Sequence, residues 1–86
     1  MGYHIRDIPQ GKLGERSKVI EEITELLDAV EQDNPVMALV EMSDVIGALE
    51  QHLIKYHPSI TLDDLITMKD RTKEAFESGD RPSKIS

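Results

Sequence analysis

Apolar residues recur every three or four positions along two stretches of the chain, the spacing typical of amphipathic helices. A first helix is predicted over residues 15–32 and a second over residues 35–56. Pro35 suits the first turn of a helix, and Asp33 or Asn34 is expected to cap it. The apolar positions are Val19, Ile20, Ile23, Leu26, Leu27 and Val30 in the first helix, and Ala38, Leu39, Met42, Val45, Ile46, Leu49 and Leu53 in the second.

A third helix is predicted to begin at Thr61-Leu-Asp-Asp64, which resembles a capping box with Asp in place of the usual Glu. Gly79 is expected to cap its C-terminal end, because glycine readily adopts the left-handed conformation found there. The sequence therefore predicts an all-α chain with an extended N-terminal arm at residues 1–14, a helical domain at residues 15–79 and a polar tail at residues 80–86.

The chain has 86 residues, few enough that a core of its own would be marginal. Three helices with wide apolar stripes cannot all bury those stripes within so short a chain, and Met37, Met42 and Met68 are simplest to interpret as core residues. We therefore expect a homodimer or a homotetramer in which helices from several copies form one bundle.

Charge and composition exclude several classes of partner. The formal net charge is −7 with no basic run, which argues against nucleic acid or an anionic membrane surface as a partner. The chain has no cysteine, so disulfides and thiolate metal sites are excluded. No apolar stretch approaches the roughly 20 residues of a membrane span, and a cytoplasmic location is expected.

Acidic residues form two short clusters, Glu21-Glu22-x-x-Glu25 in the first predicted helix and Glu41-x-x-Asp44 in the second. At about 100° per residue, Glu22 and Glu41 each border the apolar stripe of their helix. Glu25 and Asp44 then take equivalent positions beside them, whereas Glu21 lies farther toward the polar side. The two helices therefore carry matching patterns of acids beside apolar residues.

These acids have two interpretations on spacing alone. Charges that flank an apolar stripe commonly form a solvated face, and Asp28, on the polar side of the first helix, is expected to face water. Few basic residues stand three or four positions from the clustered acids, however, and like charges repel each other there. If the two helices pack together, their carboxylates would share a space suited to Mg²⁺ or Mn²⁺.

The segment Ser17-Lys-Val-Ile-Glu-Glu-Ile-Thr-Glu-Leu-Leu-Asp-Ala29, followed by Ala38-Leu-Val-Glu-Met-Ser-Asp-Val-Ile-Gly-Ala48, resembles the MazG-like all-α nucleoside triphosphate pyrophosphohydrolases. The signature of that family is E-E-x-x-E, a variable gap and then E-x-x-D. Here the gap between Glu25 and Glu41 is 15 residues. The resemblance extends over residues 14–81 and is to the short single-domain members.

The resemblance implies a metal-dependent reaction. Glu22, Glu25, Glu41 and Asp44 would coordinate Mg²⁺, with Mn²⁺ as an alternative, and the metal would hold the triphosphate of the substrate. Glu21 and Glu22 are the catalytic candidates, and Glu21 would either complete a second metal site or orient the attacking water. Water would attack the α-phosphorus of an NTP or dNTP, so that a nucleoside monophosphate and pyrophosphate form.

The third helix departs from the family pattern. Relatives often carry a Lys and an Asn there with the spacing K-x-x-x-N, whereas this chain reads Met68-Lys-Asp-Arg-Thr-Lys73. Lys18, Lys69 and Lys73 are the candidates for phosphate binding, together with Arg71, and each is equally compatible with ordinary solvated charge. Two other functions remain open: phosphoribosyl-ATP pyrophosphohydrolase, and a non-catalytic helical module that binds nucleotides or a protein.

Overall fold

The computed structural model describes residues 4–78, which contain three helices and no strand. Helix α1 spans Arg16–Glu31, α2 spans Pro35–Tyr56 and α3 spans Leu62–Ser78. The predicted all-α class is confirmed, and each observed end within this range lies within one residue of its prediction. The Gly79 cap, the polar tail and residues 1–3 of the predicted arm lie outside the described residues.

Side chains fix the start of α2 and α3. The Asn34 side chain accepts a hydrogen bond of 3.2 Å from the Met37 N–H, so Asn34 rather than Asp33 caps α2. Thr61 and Asp64 form the predicted capping box. The Thr61 N–H donates to Asp64 Oδ2 at 2.9 Å, and the Asp64 N–H donates to Thr61 Oγ1 at 3.1 Å.

Helices α1 and α2 form an antiparallel pair. Glu15, at the start of α1, is 3.0 Å from the Lys55 ammonium near the end of α2. Small residues allow the two helices to approach closely, since Ala29 is completely buried and Ala38 and Ala48 are almost so. The other buried residues, within the part of the chain that the structure describes, are Gly14, Leu53 and three acids, Glu22, Asp28 and Glu41.

The apolar stripes are largely uncovered within one chain. Helix α3 packs against α2 and has no buried residue. Met42 and Met68 are 46% and 60% exposed, so the prediction that they are core residues is wrong for the single chain. The stripe positions with large exposed side chains are Ile20, Ile23, Leu27, Val30, Leu39, Met42 and Ile46.

The segment before α1, residues 4–15, has no helix or strand and runs back along α1. The Gly11 N–H donates to the Glu21 carboxylate near the start of the helix, and Arg6 pairs with Glu31 at its end. A Cβ at Gly11 would lie 2.3 Å from the Ser17 carbonyl oxygen, so only glycine fits this close crossing. None of the three helices, as far as residues 4–78 show them, is long and apolar enough to cross a membrane.

Candidate metal centre

The two acidic clusters meet at the contact between α1 and α2. Ligand atoms of Glu22, Glu41 and Asp44 lie within 4.8 Å of one another, and so do those of Glu21, Glu22 and Glu25. Glu22 belongs to both groups and joins them. The structure therefore brings all five predicted acids into one cluster across two helices.

Two of these acids are buried without full hydrogen bonding. Glu22 is 6% exposed and Glu41 is 3% exposed. Glu22 Oε2 and Glu41 Oε1 have no hydrogen-bond partner among the described residues. A buried carboxylate oxygen without a partner is costly, and such groups are rare in folded proteins. A divalent cation coordinated by these oxygens would remove that cost, so the residues fit a metal such as Mg²⁺ or Mn²⁺.

The environment of the cluster disfavours its negative charge. Burial, followed by the neighbouring charges of Glu22 and Glu21, raises the pKa of Glu25 to about 7. Burial also raises the pKa of Glu41, and Asp44 adds to that shift. Raised carboxyl pKa values of this kind are typical of sites in which several acids surround a bound cation.

Lys18 and Glu21 form the edge of the cluster. Lys18 Nζ lies 3.2 Å from Glu21 Oε1 and 3.7 Å from Glu22 Oε1. Burial alone would lower the pKa of Lys18, but the hydrogen bond to Glu21 and the charge of Glu22 raise it. Burial alone would raise the pKa of Glu21. The Gly11 N–H, which donates to Glu21 Oε1 at 2.7 Å, and the Lys18 ammonium outweigh burial and lower this pKa. Both side chains are therefore charged at neutral pH.

A cleft of about 430 Å³ lies beside these acids. Glu22 and Asp44 supply the acidic part of its lining, and Lys18 lies next to Glu22. Along α2, Gly47 leaves open space, since a Cβ there would meet no atom of the described chain within 4 Å. The remaining lining residues are Leu13, Ser43, Ala48, Glu50 and Gln51.

The basic residues of α3 are placed elsewhere. Lys69 is exposed and its Nζ lies 2.9 Å from Asp70 Oδ1, a neighbour on the same helix. Lys73 and Arg71 are also exposed. Within residues 4–78, α3 contacts α2 but not α1, and neither lysine lines the cleft beside the acids. Of the four phosphate-binding candidates, Lys18, Lys69, Lys73 and Arg71, the structure brings only Lys18 to the cluster.

Two residues beside the acidic cluster, His4 and Asp28, were not predicted there from the sequence. Asp28 was expected to face water but is completely buried, so that expectation is wrong. The reason is the N-terminal segment, which covers this face of α1: His4 Nδ1 lies 2.8 Å from Asp28 Oδ2, and the Ile5 N–H donates to the same oxygen at 3.0 Å. One signal was available, because Asp28 lies three residues after Glu25 and thus on the same helix face.

Comparisons of the chain with protein-family models, with curated proteins and with solved structures give no match.

Proposed function

We propose that this chain is a Mg²⁺-dependent nucleotide pyrophosphohydrolase of the MazG-like type, which cleaves an NTP or dNTP to a nucleoside monophosphate and pyrophosphate. The observation that carries the proposal is the pair of buried carboxylate oxygens, Glu22 Oε2 and Glu41 Oε1, that lack a hydrogen-bond partner in the described chain. They lie inside a cluster of acids, which without a cation is electrostatically unfavourable.

Each acid has a defined part in the proposed site. Glu22, Glu25, Glu41 and Asp44 would hold Mg²⁺, with Mn²⁺ as an alternative. When bound, the ion supplies positive charge against the triphosphate oxygens and acidifies a water molecule. Because the protein has a net charge of −7, a polyanionic substrate needs this charge inversion to approach the cluster.

Lys18 and Glu21 would act on the phosphates and on water. Lys18 Nζ is a cation beside Glu22 in the lining of the cleft and is suited to contact a phosphate oxygen. Glu21 Oε1 is held by the Gly11 N–H and by Lys18, and this fixes the orientation of its carboxylate. An ionised Glu21 would then accept a hydrogen bond from the attacking water and orient it.

The reaction balances as a simple hydrolysis. The water oxygen bonds to the α-phosphorus, the bond from the α-phosphorus to the bridging oxygen of the β-phosphate breaks, and pyrophosphate leaves. The water proton passes to solvent by way of the oriented carboxylate. The cleft beside the acids, about 430 Å³, is of the size that small-molecule sites usually have.

A second copy of the chain would complete the fold. The exposed stripe side chains of α1 and α2, such as Leu27, Leu39 and Ile46, form an apolar surface on the protomer. Such a surface is typical of an interface between subunits. We therefore include a homodimer or homotetramer in the proposal, with α3 of each copy free to pack against a neighbour.

A substrate panel tests the proposed function. The pure protein is incubated with Mg²⁺ and standard or modified NTPs and dNTPs, and the products are separated by chromatography. Release of a nucleoside monophosphate and pyrophosphate is expected for at least one nucleotide. Phosphoribosyl-ATP belongs in the panel, because its cleavage alone would assign the chain to the related histidine-biosynthesis activity. No turnover of any nucleotide would favour the non-catalytic helical module.

A further inference from the structure

His4 enters the acidic cluster from the N-terminal segment. Its Nε2 atom lies 3.4 Å from Glu41 Oε2 and 4.0 Å from Glu25 Oε2. One ligand atom from each of these three residues lies within 4.8 Å of the other two. This group therefore combines one imidazole nitrogen with two carboxylates. The other two groups of the cluster contain carboxylates only.

We propose that His4, Glu25 and Glu41 form a second cation site, which takes a borderline transition-metal ion such as Co²⁺ or Zn²⁺ in preference to Mg²⁺, with Asp28 as the positioning residue for His4. Imidazole nitrogen suits these ions, whereas Mg²⁺ prefers oxygen ligands. The site shares Glu25 and Glu41 with the cluster described above, but it needs neither a nucleotide nor hydrolysis.

Asp28 lies against Nδ1 of His4, while Nε2 faces the two carboxylates. Asp28 Oδ2 lies 2.8 Å from Nδ1, so a hydrogen on Nδ1 is donated to a carboxylate that has no solvent exposure. The Ile5 N–H donates to the same oxygen and fixes the backbone beside the ring. A carboxylate on one imidazole nitrogen orients the ring and leaves the other nitrogen with its lone pair for a metal.

A second observation concerns the burial of Glu41. Glu41 is almost completely buried, and its Oε1 atom has no hydrogen-bond partner among residues 4–78. Its other oxygen faces His4 Nε2. The buried Glu41 carboxylate therefore presents one oxygen to the imidazole, while its other oxygen has no partner in the described chain.

The distances fit one ion after a small adjustment. Ligand atoms about 2.0–2.1 Å from a tetrahedral ion lie roughly 3.4 Å from each other. The separation of 3.4 Å between His4 Nε2 and Glu41 Oε2 has this value already. Glu25 Oε2, at 4.0 Å from the same nitrogen, reaches it by a change in side-chain torsion. Water would take the remaining coordination position.

The alternative role for His4 is an ion pair alone. A protonated imidazole would donate to Glu41 or Glu25 and offset part of the negative charge, with no metal involved. The two roles differ in one measurable way. In a metal site, Nε2 coordinates Co²⁺ directly, so His4 increases Co²⁺ affinity. In an ion pair, the positive charge of His4 repels Co²⁺, so His4 decreases Co²⁺ affinity.

Co²⁺ binding to the full chain, without nucleotide, is the test. Visible absorption is followed as Co²⁺ is added, and Co²⁺ and Mg²⁺ affinities are compared for the wild type, His4→Gln, Asp28→Asn and the control His57→Gln. His57 lies at the end of α2 and is exposed. Circular dichroism establishes that each variant is folded.

We expect His4→Gln to lower Co²⁺ affinity at least tenfold more than Mg²⁺ affinity, and to weaken the absorption bands. Asp28→Asn should lower Co²⁺ affinity by roughly 10- to 100-fold, as is common when the carboxylate behind a metal-bound histidine is lost. His57→Gln should match the wild type. Equal Co²⁺ affinity in His4→Gln and the wild type, or no Co²⁺ binding at all, would overturn the proposal. Because nucleotide is absent, this result is separate from whether the chain hydrolyses NTPs.

Discussion

Glu22 on α1 and Glu41 on α2 approach each other across the helix contact, with ligand atoms within 4.8 Å, and each keeps one buried oxygen without a hydrogen-bond partner in the described chain. Two like charges in this position oppose the packing of the helices that carry them. The buried small residues Ala29, Ala38 and Ala48 let the two helices approach closely. The repulsion between the carboxylates therefore acts at a tight helix contact. The divalent cation that we propose would offset that cost by coordinating both carboxylates.

The first prediction concerns single carboxylates. Glu41→Gln and Asp44→Asn should each lower turnover about 100-fold or more, the magnitude common when one group that stabilises transition-state charge is lost. Without metal, both variants should have a melting temperature equal to or above that of the wild type, because one of several clustered like charges is removed. Glu74→Gln, an exposed change on α3, is the matched control and should alter neither property. Wild-type turnover in Glu41→Gln or Asp44→Asn would remove the metal-site assignment.

The second prediction concerns stability and pH without metal. The pKa of Glu25 is raised from 4.5 to about 7, and that of Glu41 is also raised, so the native state binds protons that the unfolded chain has released. The stability from these groups is fully present below the unfolded value and is lost as pH rises toward about 7. The stability that comes from the lowered pKa of Glu21 is fully present above the unfolded value of this group and is lost only at lower pH. It therefore does not oppose this trend. With EDTA present, the melting temperature should fall between pH 5 and pH 7.5.

Magnesium should reverse this behaviour. At 100 times its dissociation constant, a ligand that binds only the native state contributes about 2.7 kcal/mol, and about 1 kcal/mol shifts the melting temperature by roughly 4–8 °C in a domain of this size. Saturating Mg²⁺ at pH 7.5 should therefore raise the melting temperature on the order of 10 °C, and less at pH 5, where protons compete for Glu25. An unchanged melting temperature with saturating metal at pH 7.5 would favour a simple solvated acidic face.

The third prediction concerns Gly47, which lines the cleft on α2. Because a Cβ at this position meets no atom of the described chain within 4 Å, Gly47→Ala should stabilise the helix by about 1 kcal/mol and leave nucleotide binding nearly unchanged. Gly47→Leu should also fold but fill the cleft and raise KM. Denaturation curves and steady-state kinetics measure the two effects. If Gly47→Leu kept the KM of the wild type, the nucleotide would bind elsewhere.

The fourth prediction concerns the apolar stripe. Ile46 is 50% exposed and lies on the stripe of α2, whereas Val36, 68% exposed, lies outside it at the start of the helix. If a second copy covers the stripe, Ile46→Glu should dissociate the oligomer, and the control Val36→Glu should not. Size-exclusion chromatography with light scattering measures the mass. A monomeric wild type, or an Ile46→Glu variant that stays oligomeric, would contradict the proposed assembly.

The helices and the acidic grouping could be predicted from local patterns. Apolar spacing and caps determine where a helix starts and ends, and Thr61 with Asp64 gave the third helix its start as expected. The grouping of Glu22 with Glu41 also followed from sequence, since each borders the stripe of its helix.

The rest depends on contacts between residues far apart in the chain. Nothing in the local pattern around His4 indicates that it reaches Asp28, which lies 24 positions later. The position of Lys69 away from the acids depends on how α3 packs against α2, and the local pattern does not determine it. The exposed apolar stripe of α1 and α2 also depends on distant contacts. Periodicity predicts that a helix has an apolar face, but it does not predict which surface covers that face.

Hydrolysis in H₂¹⁸O tests the central claim most directly. The nucleotide that the substrate panel identifies is cleaved in labelled water with Mg²⁺, and mass spectrometry locates the label. Attack on the α-phosphorus predicts equal amounts of nucleoside monophosphate and pyrophosphate, with ¹⁸O in the monophosphate, and loss of the reaction in Glu41→Gln. Label in pyrophosphate, formation of a nucleoside diphosphate and phosphate, or no turnover of any nucleotide would contradict the proposed reaction.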